Sequence, residues 1–177
     1  MYDRQTVSLW IHTTGEAVIG KYKNTLLKFM PSTVTTWKKW RTEHPETQVL
    51  NVRKGKNARF NLKTNPRVGG LSVGQPDGEL KFYPFSILQD KRLVNVELAG
   101  KKIVVVFDPE AFAFAAFERG DLTFVWKDGG MVDQTGKQWR LLTGTSGELT
   151  LQPIPAVTWL TRAWKRFYPE GLIYSTE

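Results

Sequence analysis

The residues best placed to do chemistry in this 177-residue chain come in small, isolated groups. Gly15-Glu16-Ala17-Val18-Ile19-Gly20-Lys21 has the spacing of a phosphate-binding loop, in which backbone N–H groups and a Lys cradle phosphates while the next hydroxyl holds Mg²⁺. The next residue is Tyr22, which does not supply that hydroxyl, and Ala-Val-Ile reads as strand rather than loop. Gly70-Leu71-Ser72-Val73-Gly74 fits the nucleophile-elbow pattern, which needs a strand before the Ser and a helix after it. A cationic loop precedes it and Gln75-Pro76-Asp77-Gly78, a turn, follows. His12 and His44 are the only imidazoles, without metal-ligand spacing, and are read as ordinary surface or packing residues. The absence of Cys excludes disulfides, thiolate metal sites and Cys nucleophiles. Nothing in these patterns calls for a cofactor, a metal ion or an assigned catalytic residue.

One constellation occurs twice. Asp3, Thr6 and Trp10 are followed by Thr14-Gly15, and Asp133, Thr135 and Trp139 by Thr143-Gly144, with four residues from each Thr to its Trp and four more to the next Thr. An Asp caps a following turn and a Gly permits positive φ, so each group reads first as a hairpin built around a buried Trp. The functional alternative is a cleft between the two groups that binds a polar ligand, with the indoles as platforms and the carboxylates as acceptors. An enzyme in that cleft would use Asp3 or Asp133 as acid or base, which requires a shifted pKa.

Charge is uneven. The formal balance is +8, and residues 1–70 hold 13 cations and 4 anions. Arg53, Lys54, Lys56, Arg59, Lys63 and Arg67 form a run without Asp or Glu, which could neutralise phosphates by counterion release. Phe60 is the only ring in the run, so stacking on single strands is poorly supplied and a solvated connector is preferred over a nucleic-acid site.

The elements that must position these groups follow from a longer match of the chain against itself. Met30-Pro31 is followed nine residues later by Trp40 and then by Pro45-Glu46; Ile154-Pro155 is followed at the same intervals by Trp164 and Pro169-Glu170. This predicts a mainly β (β-rich α+β) protein: a tandem duplicated antiparallel β unit, each with a short helix after a Pro, the first copy incomplete. Residues 80–126 read as strands, with Leu93–Leu98 and Lys102–Phe107 joined by an Ala99-Gly100 turn. Val157, Leu160, Trp164 and Phe167 read as one helix face stopped by Pro169, and Thr36, Trp40 and Glu43 as its counterpart stopped by Pro45. The expected division is residues 1–52 as the C-terminal part of the first repeat, 53–78 as a basic Gly/Pro linker, and 79–177 as the complete second repeat.

Met1-Tyr2-Asp3-Arg4-Gln5-Thr6-Val7-Ser8-Leu9-Trp10, Thr14-Gly15-Glu16-Ala17, and Thr35-Thr36-Trp37 through Trp40 to His44-Pro45-Glu46-Thr47 together resemble the uncharacterised prokaryotic family known as domain of unknown function 3179. Lys81-Phe82-Tyr83-Pro84-Phe85 and Leu98-Ala99-Gly100-Lys101 extend the resemblance. It implies a duplicated, mostly β protein without an established activity, and an upstream Cys-Pro-x-Cys stretch that this chain lacks, hence an N-terminally shortened member. The first residues carry neither a basic n-region nor an apolar h-region and read as cytoplasmic, whereas the resemblance implies frequent export. The resulting expectation is a non-catalytic or incomplete binding or structural domain, with an exposed strand edge able to self-associate; the partner is unknown.

Overall fold

A computed structural model describes residues 1–48, 69–76 and 78–176. In chain order, β1 (Tyr2–Asp3), β2 (Ser8–Ile11) and β3 (Glu16–Ile19) form a small antiparallel sheet, and helix α1 (Trp37–Glu43) follows. Then come β4 (Gly69–Gly74), β5 (Leu80–Pro84), α2 (Phe85–Lys91), β6 (Leu93–Leu98), β7 (Lys101–Asp108) and β8 (Ala113–Glu118). The chain continues with β9 (Phe124–Lys127), β10 (Gly130–Asp133), β11 (Gln138–Trp139), β12 (Thr145–Ser146) and β13 (Leu149–Thr150). It closes with β14 (Gln152–Ile154), β15 (Ala156–Leu160), α3 (Thr161–Phe167) and β16 (Leu172–Ile173). The protein is mainly β.

The apolar runs of β7 and β8 do not alternate with polar residues, because their sheet, ordered β14-β8-β7-β6, is buried on both faces. Ile103, Val105, Phe107, Phe114 and Ala116 pack toward Leu71, Val73, Tyr83, Phe85 and Leu88. Val104, Val106, Ala113, Ala115 and Phe117 face the other way, onto Phe124, Met131, Trp139 and Leu142. The β6–β7 hairpin turns at Ala99 (φ 51°) and Gly100 (φ 72°), the left-handed pair that a two-residue turn demands. Among the described residues, the strand pairs are antiparallel except β5–β16. Residues 152–160 join the two large sheets: β14 pairs with β8, Pro155 follows, and β15 pairs with β4.

The N-terminal segment docks on this body. Gln75 clamps Phe29 with two hydrogen bonds, Oε1 accepting from its N–H and Nε2 donating to its carbonyl, both 2.9 Å. Val34 bridges to Phe114, and Thr36 N–H donates to the Ala111 carbonyl at 3.2 Å.

Three local expectations are corrected. The segment 80–126 contains a helix, α2, whose Phe85 and Leu88 sit three apart on its buried side, a helical spacing within a strand-rich stretch. The helix after Pro155 begins only at Thr161; Val157 and Leu160 belong to β15, whose pairing with all of Gly69–Leu71 and beyond decides the backbone over local periodicity. Residues 69–74, expected as linker, are instead the fully buried strand β4, so Ser72 sits mid-strand, accepting from Trp159 Nε1 at 3.0 Å, and no elbow forms. Gly70 allows this: a Cβ there would meet the Tyr83 carbonyl at 2.4 Å and the Phe82 ring at 2.5 Å. Residues 53–68 and 77 of the expected linker lie outside the described residues.

Gly15 and Gly144 both take left-handed φ, 75° and 66°, so any substitution is strained; a Cβ on Gly144 would also lie 2.5 Å from the Phe117 ring, against 3.3 Å for the nearest atom at Gly15. Gly144→Ala is expected to cost about 2–4 kcal/mol and Gly15→Ala about 1–2 kcal/mol in chemical denaturation, the difference being the core overlap. Equal costs for the two would contradict this placement.

Candidate functional site

Each Asp-Thr-Trp group builds a turn. Asp133, only 4% exposed at the end of β10, accepts from Thr135 N–H (2.8 Å), Thr135 Oγ1 (2.6 Å), Lys137 N–H (3.1 Å) and Trp139 Nε1 (2.9 Å). Burial alone would push this carboxyl up; the donors from Thr135, Trp139 and Lys137 outweigh it and hold it at about 2. Asp3 accepts from the Thr6 hydroxyl and from Gln5 N–H, and these bonds lower its pKa. Both carboxylates are fixed as anionic acceptors, the opposite of what proton transfer near neutral pH requires.

The two indoles part company. Trp139 is buried against Phe124, ring centroids 5.7 Å apart and edge to face. Trp10 is half-buried, 6.0 Å from the Tyr22 ring, and lines a cleft of about 450 Å³ between the N-terminal sheet and β15. Ile11, Leu27, Phe29 and Met30 form one wall, and Val157 and Trp159 the other. Among the described residues, the charged or titratable side chains on the lining are His12 and Lys28, both basic. Neither aspartate lines it, so the structure does not assemble Asp3 and Asp133 with the two Trp residues into one cleft. Sequence reasoning found Trp10 but missed the rest; the apolar pairs Leu26-Leu27 and Phe29-Met30 around Lys28 were the available signal.

The basic run Arg53, Lys54, Lys56, Arg59, Lys63 and Arg67 lies outside the described residues. Among the described residues no helix is long and apolar enough to cross a membrane.

This arrangement defines a mainly β protein with an open, largely apolar cleft bordered by Lys28 and His12. Residues 1–70, which include the Trp10 hairpin and α1, match the family described as protein of unknown function (DUF3179). No curated protein and no solved structure matches it.

A carboxyl held at about 2 in the fold, against an ordinary 3.8, adds stability that is complete above the ordinary value and lost as pH falls toward the lower one. The melting temperature is therefore expected to drop between about pH 4 and about pH 2. Asp133→Asn, which puts an amide donor among four donors, should cost about 1–3 kcal/mol at neutral pH and flatten that drop. Circular dichroism melts of the two proteins across this range check it; parallel curves would remove Asp133 as the cause.

Proposed function

We propose that this protein acts by binding rather than by acid–base chemistry, and that its ligand is a small amphiphile with an apolar body and an anionic end. The observation that carries the reading is the Trp10 cleft, apolar and aromatic on both walls with His12 and Lys28 as its basic groups. Burying about 200 Å² of apolar ligand surface there is worth about 5 kcal/mol before the cost of immobilisation, which sets a weak affinity, about millimolar, for this contribution alone. Lys28 supplies the charge partner and fixes which end of the ligand enters.

The same reading takes the two halves as copies of one ancestral unit. Hydrogen bonds at matching positions support it: Gly15 N–H to Ile11 O and Gly144 N–H to Arg140 O, both 2.8 Å, and Leu27 N–H to Gly15 O and Leu151 N–H to Gly144 O, both 2.9 Å. In this reading the second copy has sealed its Trp as core, while the first has left its Trp on a cleft wall.

The naphthalene sulfonate dye ANS has the chemistry described and serves as the probe. Its fluorescence should rise on binding, and its affinity should weaken with added salt because the Lys28 contact is screened. Leu27→Trp, at a position 44% exposed, fills the cleft, and Lys28→Glu reverses its charge; each is expected to weaken binding about tenfold. Dye affinity unchanged in both variants would reject the cleft as the binding site.

A further inference from the structure

Helices α1 and α3 end alike. The cap residue His44 has φ −133°, ψ 70° and donates its N–H to Trp40 O at 2.8 Å; Tyr168 has φ −131°, ψ 69° and donates to Trp164 O at 2.8 Å. Each cap ring stacks on its Trp, His44 on Trp40 at 4.1 Å and Tyr168 on Trp164 at 4.5 Å. What differs is the chemistry of the segment leading into each helix. Where the C-terminal segment has Ala156, Val157 and Trp159, the N-terminal one has Ser32, Thr33 and Thr35 at the corresponding places.

The consequences for packing are opposite. The Trp159 indole lies edge-on to both Trp164 and Tyr168, 5.9 Å and 5.6 Å between centroids, and Trp164 is fully buried. Around α1 the smaller polar residues leave a cavity of about 370 Å³, bounded by Ser32, Thr33, Trp40, His44, Phe117 and Thr143 among others. His44 Nε2 is buried without a hydrogen-bond partner, as is Thr35 Oγ1 beside the Val34 bridge. Tyr168 also keeps an unpaired hydroxyl, but Trp159 fills the place beside it.

We propose that this cavity is a binding site for a small neutral polyol of monosaccharide size. Its described lining holds three hydroxyls and one imidazole but no Lys, Arg, Asp or Glu, so a charged ligand would enter without a counter-charge. Trp40 offers aromatic surface to the C–H face of a sugar-like ring, Ser32 and Thr143 meet its hydroxyls, and a ligand that reaches the buried His44 Nε2 gives that nitrogen the hydrogen bond it lacks. Thr33 donates to the Leu142 carbonyl at 3.3 Å and keeps its lone pairs for accepting. The cavity shares no lining residue with the Trp10 cleft, so the two sites stand or fall separately.

The chain has two His residues, one on each cavity, and long-range proton–nitrogen correlation spectra of the imidazoles read them independently. Millimolar D-glucose, N-acetyl-D-glucosamine and myo-inositol are the probes. At least one should shift His44 saturably and leave His12 in place, whereas ANS should shift His12 and leave His44. His44→Tyr with Thr33→Val installs the residues that the C-terminal segment carries and should weaken sugar binding about tenfold by saturation transfer, with ANS binding retained. Ser32→Ala removes a single oxygen and should weaken it severalfold. Failure of all three sugars to move His44, an equal shift from inorganic phosphate, or unchanged sugar binding in both variants would overturn the proposal.

Discussion

Burial of one sheet on both faces is the constraint on which the rest of the fold depends. With β7 and β8 in the middle, every residue from Ile103 to Phe107 and from Ala113 to Phe117 is inside, so the sheet needs two covers. One is β4, β5 and α2; the other is the β9–β11 sheet with the 141–142 turn. The N-terminal segment docks on this body from outside, with Trp40 packed against the second cover and Val34 bridging to Phe114. Its large apolar residues are accordingly less buried than those of the body: Met30 is 82% exposed and Ile19 58%.

Strands whose pairing is local were legible in the residues. Leu93–Leu98 and Lys102–Phe107 are β-branched, adjacent and joined by a two-residue turn, and they form as read. The helix read on Thr36, Trp40 and Glu43 forms too, but Thr36 is its N-cap rather than part of its face, the hydroxyl accepting from Lys39 N–H. What was not legible depends on partners far along the chain. Val157 and Leu160 keep helical spacing with Trp164, yet they pair with a strand whose own sequence, Gly-Gly-Leu-Ser-Val-Gly, looks like a loop. Neither segment declares itself a strand alone; each becomes one because the other is there.

The repeated Asp-Thr-Trp groups show why spacing identifies a turn more easily than a site. Asp133 gathers four donors within a few residues, a local event that the sequence encodes directly. The Trp10 cleft requires the approach of Trp159, Val157 and Thr158, which no local pattern announces. The His44 cavity is subtler still, because its polarity emerges only when Ser32 and Thr33 are set beside Ala156 and Val157 on a similar frame.

Residues 152–160 stitch both large sheets together, and they are made well after the strand β4 that they flank. Ser72 waits for Val157, 85 residues downstream, before its strand gains its outer neighbour. At ordinary rates of translation that interval is roughly 5–15 s, during which β4 has an open flank on the ribosome. A flank so rich in Gly carries little side-chain surface for a foreign strand to grip, which suits a segment that must stay single until its seam is sewn.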